Sequence, residues 1–256
     1  MSFVIPPITA AREGRTILST PTISFKEGKL TAILGPNGAG KSSLLQHALG
    51  QDGEACATLV HGEELQNLSQ VERARRVAYL PQKPSMAWPL TVIDAVALGR
   101  FAYGAGPGQL RTADQRAVEQ ALKDTELEEF SQRRTDTLSG GELARLHIAR
   151  LLATEAPILI ADEPAASLDP RHQHALMALL RAQAAQGKTV VTVLHDLALA
   201  HRYADDVVLL NQGSLTAHGA TADVLTPSAI AETYGVAAEI TPKGLQVTGP
   251  AHPPNP

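Results

Sequence analysis

A strand, a glycine-rich loop and a helix follow one another without a gap: LTAIL (30–34), GPNGAGKS (35–42), then a helical run to Leu49. The loop fits G-x-x-x-x-G-K-[ST], and its place between a buried strand and a helix start gives the pattern its meaning. Gly35, Gly38 and Gly40 let the backbone curl until successive N–H groups point inward at phosphate oxygens. The helix N-terminus adds partial positive charge at the same place. Lys41 lies in the first helical turn, against the dipole, where its charge is unfavourable unless an anion offsets it. A β/γ-phosphate is such an anion. Ser42 offers a hydroxyl to Mg²⁺, and Gly35, Pro36, Asn37, Gly38, Ala39, Gly40, Lys41, Ser42 and Ser43 form the expected nucleotide-binding segment. Without its flanks the string reads equally as a glycine turn capping a helix.

Further short β-branched runs read as buried strands: VAYL (77–80), PILIAD (157–162), TVVTVL (189–194) and VVLL (207–210). Helical stretches at 112–124, 141–153, 171–186 and 196–203 separate most of them, which predicts an α/β core around a mainly parallel sheet. Residues 16–25 read as an antiparallel strand beside it, and 205–219 as strand, turn at Asn211-Gln212-Gly213, strand. Residues 83 to about 145 lack a clear strand and read as a helical insertion within one domain spanning 1–248. The proline-rich tail from Gly249 is expected to be disordered.

Formal net charge is −4, which gives no global pull toward nucleic acid. Cys56 is single, so neither an intramolecular disulfide nor a cysteine-based zinc site is available. The N-terminal residues carry no basic leader, and the longest apolar runs are far short of a membrane span. A cytosolic chain is expected, one that acts at a membrane only through a partner.

PILIADEP (157–164) is an apolar strand ending in two carboxylates. Neighbouring strand residues face opposite ways, so the two take different tasks. Asp162 is placed to hold the Mg²⁺ shell across from Ser42, leaving Glu163 to orient and polarise an attacking water. Away from a phosphate loop, such a pair would suit a solvated acidic turn.

With the phosphate loop and ADEP, LSGGE (138–142) at the head of a helix resembles the signature of the ATP-binding cassette (ABC) ATPases. Gln82 after VAYLP matches that family's Q-loop, Ser167-Leu168-Asp169 its D-loop and His195 its switch histidine, six motifs in the family's order. The resemblance covers roughly residues 15 to 235. It implies a P-loop NTPase core with a mainly parallel sheet, an antiparallel β subdomain and the helical insertion. It implies Mg²⁺-dependent ATP hydrolysis with Glu163 and His195 catalytic, and Ser42, Gln82 and Asp162 about the metal. It also implies a head-to-tail homodimer in which Leu138, Ser139, Gly140, Gly141 and Glu142 face the partner's ATP. Ser139 to Gly141 would offer N–H groups at a helix N-terminus, although alone the motif reads also as a Ser-capped helix start. One departure stands out: no aromatic precedes the loop where such proteins stack one on adenine. That position falls near Ala10 to Arg12, where Arg12 could stack instead.

Within the family, LPQKPSMAWPLTVIDAVALGR (80–100), RHQHAL (171–176), VLHDLALAHRYADDVVLL (193–210) and ADVLTPSAIAETYGV (222–236) resemble ATPase subunits of importers for iron-siderophore complexes, hemin and cobalamin. Such subunits lie at the cytoplasmic face of the inner membrane under a polytopic permease, with a periplasmic or extracellular binding protein. Met86, Trp88, Pro89 and Leu90 suit the permease groove and equally suit the core of the insertion. An assembly factor of the iron–sulfur type or an exporter ATPase would carry the same ATP motifs.

Overall fold

The computed structural model describes residues 3–12, 15–53, 57–84, 89–105, 110–242 and 244–251; Cys56 and the side chains of Arg12 and Arg15 lie outside that set. The chain opens with β1 (Phe3–Ile5), β2 (Ile8–Arg12), β3 (Arg15–Thr20), β4 (Ile23–Phe25), β5 (Leu30–Leu34) and α1 (Lys41–Ala48). Residues 16–25 are therefore two strands, not one. Pro21 separates them: it has no N–H for a ladder and holds Thr20 extended, so the chain leaves one sheet and enters another. β4 pairs with β1, Phe3 opposite Phe25 with ring centroids 5.5 Å apart. With β6 (Leu59–Val60) and β7 (Glu63–Glu64) they form an antiparallel sheet ordered β4-β1-β6-β7.

The chain continues through α2 (Gln70–Arg76), β8 (Val77–Leu80), α3 (Val92–Ala97), α4 (Thr112–Asp124), α5 (Gly140–Ala153) and β9 (Ile158–Asp162). It then forms α6 (Pro170–Ala185), β10 (Thr189–Val193), α7 (Leu197–Tyr203), β11 (Asp206–Asn211) and β12 (Ser214–Ala220). The main sheet has the order β2-β3-β12-β11-β5-β10-β9-β8, and β11, β5, β10, β9 and β8 run parallel. Every residue of β5, β9 and β10 is buried. Alternation along β5 splits the core in two: Leu30, Ala32 and Leu34 pack toward α5, α6 and α7, while Ile33 packs toward Leu44 and Leu45 of α1. Each such aliphatic side chain contributes about 1.5–3 kcal/mol relative to exposure.

Among the described residues between 84 and 139, extended pairing is limited to an isolated bridge, Thr91 with Arg134. Helices α3, α4 and α5 close their own core through Val92, Val96, Val118, Leu122 and Leu146. The C-terminal part runs through α8 (Thr221–Val224) and α9 (Pro227–Tyr234) into a hairpin of β13 (Val236–Thr241) and β14 (Gly244–Pro250). Gly249 and Pro250 thus pair with Ala237 and Val236 rather than joining a disordered tail. A two-stranded sheet is all edge, so proline fits at a strand end that needs no N–H. Residues 252–256 lie outside the described set.

Arg100 fastens the helical region to the sheet. It is 4% exposed, donates to Asp114 at 2.9 Å, the Ala153 carbonyl at 3.0 Å and Glu155 at 2.8 Å, and lies 3.9 Å over the Tyr103 ring. Removing one partner of a buried pair leaves an uncompensated charge. Asp114→Ala is expected to cost about 3 kcal/mol, the low end for such a loss because Glu155 remains. Asp136→Ala, which breaks the exposed Arg134–Asp136 pair, is expected to leave the urea midpoint in place. Coincident midpoints for the two variants would remove the anchoring role of Arg100.

Candidate active site

Parallel register sets Val193 beside both Ile33 and Asp162, so β5, β10 and β9 end at one level. At that level the chain passes into the loop 35–40 after β5, Glu163 after β9, and His195 two residues beyond β10. Together with Gln82, which follows β8, they open on a cleft of about 930 Å³ lined by Asn37 to Ser43, Gln82, Glu163 and His195. Ligands of open parallel sheets bind at this carboxyl edge. Of the expected loop, Gly35 and Pro36 form the floor rather than the lining: Lys41 Nζ donates to their carbonyls at 2.8 and 3.1 Å. Only glycine fits at 35, where φ is 153° and a Cβ would come within 2.3 Å of the Leu210 carbonyl oxygen.

Helices α2, α3, α5, α6, α7 and α9 are each closed by a Ser, Thr or Asp side chain. α1 is not: its N-cap is Gly40, and no acidic residue stands in its first turn. Its first N–H groups therefore face the cleft with no side-chain acceptor. Lys41 is 5% exposed, and burial pulls its pKa down against the opposing pull of Glu163 and Asp162.

Asp162 and Glu163 diverge as strand alternation predicts. Asp162 is 2% exposed, and the Ser42 hydroxyl donates to its carboxylate while Oδ1 has no hydrogen-bond partner. Burial raises its pKa, only partly opposed by the Ser42 bond. Glu163 adopts φ 53°, a left-handed conformation costing about 1–3 kcal/mol for a residue with a side chain. Its two oxygens are held apart, one taking Gln82 Nε2 at 2.6 Å and the other facing His195 Nε2 at 2.5 Å. Gln82 thus meets Glu163 here. A carboxylate so held has an acceptor near the cleft, with an imidazole beside it that can turn to an anion.

Among the described residues, no group of three or more His, Cys, Asp or Glu side chains could hold a metal alone. Mg²⁺ does not need one: it is usually held by one or two carboxylates, phosphate oxygens and water. The unpartnered buried oxygen of Asp162 beside the Ser42 hydroxyl fits that role.

None of residues 138–142 lines the 930 Å³ cleft. Gly140 lines an adjoining cleft of about 210 Å³, together with Gln82, Asp162, Glu163 and Ser167. Ser139 and Glu142 form a capping box, and the Ser139 N–H donates to Glu142 at 2.7 Å, so that N–H is engaged rather than offered. Gly140 and Gly141 remain open, with nothing within 4 Å of where a Cβ would stand; Leu138 packs against the core. In the 167–169 turn Leu168 is buried, and Asp169 caps α6 by accepting from the His172 N–H at 3.0 Å. His147 is a core residue whose pKa burial pushes down to about 4.

The expected importance of the 80–100 stretch is divided. Met86 and Trp88 lie outside the described residues, Pro89 is exposed, and Leu90 packs into the helical core. The Arg12 side chain also lies outside them. Two features escape the motifs. The cleft's far wall is Thr16, Ile17, Gln212 and Gly213. A separate groove of about 420 Å³ runs between α2, β8 and α5, with exposed Val71, Leu98 and Phe101 along it. Single exposed apolar residues are ordinary in a sequence; only their convergence in space distinguishes these.

A family model described as "ABC transporter" matches residues 18–166. The hemin import ATP-binding protein HmuV of Streptomyces coelicolor is 42% identical over 231 residues, 90% of this chain and 81% of that protein. The iron(3+)-hydroxamate import ATP-binding protein FhuC of Bacillus subtilis is 35% identical over 228 residues, 88% and 85% of the two chains. Among solved structures, an ATP-binding subunit of an ABC transporter superposes with TM-score 0.77 at 28% identity, over 88% of this chain and 92% of that one. A dimeric ATP-binding cassette in a post-hydrolysis state with ADP and Pi gives 0.74 at 27% identity, over 86% and 98%. Fold, loop order and sequence agree, and the chain belongs to the ABC transporter family, with the α/β fold of its ATPases.

Proposed function

We propose that this chain is the ATP-hydrolysing subunit of an importer for an iron complex, working as a head-to-tail homodimer at the cytoplasmic face of the inner membrane. Glu163, held between Gln82 and His195 at the mouth of the phosphate loop, is the observation that carries the ATPase reading. The cargo reading, hemin or a siderophore with cobalamin a further candidate, rests on relatives named for hemin and iron(3+)-hydroxamate import.

In this reading the open N–H groups of α1 and the glycine loop hold the triphosphate, and Lys41 leaves the Gly35 and Pro36 carbonyls for the β/γ-phosphates. Ser42 and Asp162, with Gln82 once released from Glu163, hold Mg²⁺. When bound, that ion offsets charge on the phosphate oxygens. Glu163 accepts a hydrogen bond from the attacking water and takes up its proton, and His195 donates to the γ-phosphate. Gly140 and Gly141 stand open for the partner's ATP, and Ser167 and Asp169 face the same interface. The ATPase unit spans residues 1–250, with 83–145 as its helical subdomain. Its permease docks on the groove of Val71, Leu98 and Phe101, where apolar surface lies open; a periplasmic or extracellular binding protein delivers the cargo. No described helix is long and apolar enough to cross a membrane, so attachment is through the permease.

Glu163→Gln is expected to lower turnover at least about 100-fold, since a positioned base is worth that much. ATP binding should persist and an ATP-bound dimer should accumulate; phosphate release and size-exclusion chromatography measure both. Turnover at the parental rate would sink the assignment. Lys41→Ala is expected to weaken nucleotide affinity about tenfold or more, because a charge-assisted bond to phosphate is lost; an unchanged fluorescent-nucleotide titration would count against the loop. A tagged pull-down from detergent-solubilised membranes tests the partner. A polytopic permease at near-equal amount is expected, whereas only soluble proteins, with the chain absent from membranes, would leave the ATPase and overturn the importer.

A further inference from the structure

Residues 35–43 account for one wall of the 930 Å³ cleft, but the opposite wall, Thr16 and Ile17 of β3 with Gln212 and Gly213 of the β11–β12 turn, belongs to no phosphate motif. Ala10 pairs with Leu18 and Ala11 with Thr16, so Ile17 is the extra residue of a β-bulge. A bulge re-aims a side chain out of the regular pleat. Ile17 is accordingly 38% exposed, while Leu18 next to it is 1% exposed.

The turn is latched to both neighbours. The Gly213 N–H donates to the Ala39 carbonyl at 3.1 Å, and the Gly213 carbonyl accepts from the Ser19 N–H at 2.8 Å. A Cβ at Gly213, where φ is 78°, would lie 2.2 Å from the Ile17 carbonyl oxygen, so no larger residue allows this approach. Gln212 is held at φ 48°, uncommon for a residue with a side chain, and its carboxamide is exposed on the cleft. An aliphatic face and a carboxamide therefore stand beside the phosphate loop on backbone that cannot move independently of it.

We propose that Ile17 and Gln212 are the nucleobase subsite: Ile17 covers a face of the purine and the Gln212 carboxamide meets its hydrogen-bonding edge. The inference rests on the nucleotide reading of the same cleft. No aromatic side chain lines that cleft among the described residues, and Ala10 and Ala11 of β2 offer only methyl groups. A carboxamide carries both donor and acceptor, so it serves adenine through its oxygen and guanine through its NH₂. The phosphates then carry the affinity, and ATP and GTP bind within a few-fold of one another.

Calorimetric titration in excess magnesium chloride with AMP-PNP, GMP-PNP and inorganic triphosphate separates base from phosphate binding. Ile17→Ala is expected to weaken AMP-PNP about 5–10-fold through lost apolar contact, with triphosphate unchanged. Ile17→Trp is expected to tighten AMP-PNP by about 3–10-fold through base stacking. Gln212→Glu, which only accepts, is expected to shift the AMP-PNP to GMP-PNP affinity ratio about tenfold toward adenine. Unchanged AMP-PNP affinity in both Ile17 variants overturns the subsite, as does an equal loss of AMP-PNP and triphosphate. An unchanged ratio in Gln212→Glu removes that residue from it. A parent chain that binds neither AMP-PNP nor triphosphate overturns the nucleotide reading itself.

Discussion

The parallel register of β5, β10 and β9 is the constraint on which the rest depends. These strands are buried at every position, so neither face can carry chemistry. Polar groups can gather only where the strands end, and the pairing of Val193 with both Ile33 and Asp162 makes them end together. His195 and Glu163 come from different strands, far apart in sequence, yet meet at 2.5 Å because that register leaves them no other level. The Arg100 anchor acts one step further out. It holds α4 and the end of α5 against the chain entering β9, and so sets where the signature turn lies relative to that edge.

At this edge the charges are incomplete by themselves. Lys41 and Asp162 are both almost fully buried, and burial drives each toward its neutral form. Lys41 satisfies itself on two carbonyls of its own loop, and Asp162 keeps one oxygen unpartnered. Buried charges without full partners are costly. α1 adds to the imbalance, since it alone presents an uncapped N-terminus to the cleft. A triphosphate with a divalent cation offsets all three together, which is why the arrangement suits that ligand better than a phosphate or a cation separately.

What was legible in the sequence was local chemistry. Gly35 to Ser43, Asp162 with Glu163, and His195 could be placed because each sits at a strand end whose apolar run announces it. The helices from Thr112, Gly140 and Pro170 were legible for the same reason, their caps and periodicity being short-range. Relations across the chain were not. The Ile17 bulge depends on which residues of β2 lie opposite, and the Gly213 latch on a loop some 170 residues away. Pro21 divides what alternation joins, and the β13–β14 hairpin uses residues whose composition suggested disorder. Ser139 was read as offering its N–H, yet the glutamate three residues on takes it. That capping box was visible as a spacing; its consequence for the anion site was not.

The contrast between two helix starts bears on assembly. α1 and α5 both begin in glycine-rich turns, and a helix start of this kind attracts anions. α1 is open and lines the large cleft with Lys41 in its first turn. α5 is half closed, its Ser139 bonded into the cap with Glu142, yet Gly140 and Gly141 have no side chain and nothing packed over them. Within one chain that openness serves no contact, and the cleft that α1 lines does not include it. Glycine in a first helical turn lowers helix stability by about 0.5–1 kcal/mol relative to alanine, and two in succession double the penalty. Such a sequence is hard to account for by the stability of a single copy. It becomes intelligible when a ligand held by a second copy must approach the backbone closely, as a nucleotide shared across a head-to-tail pair would.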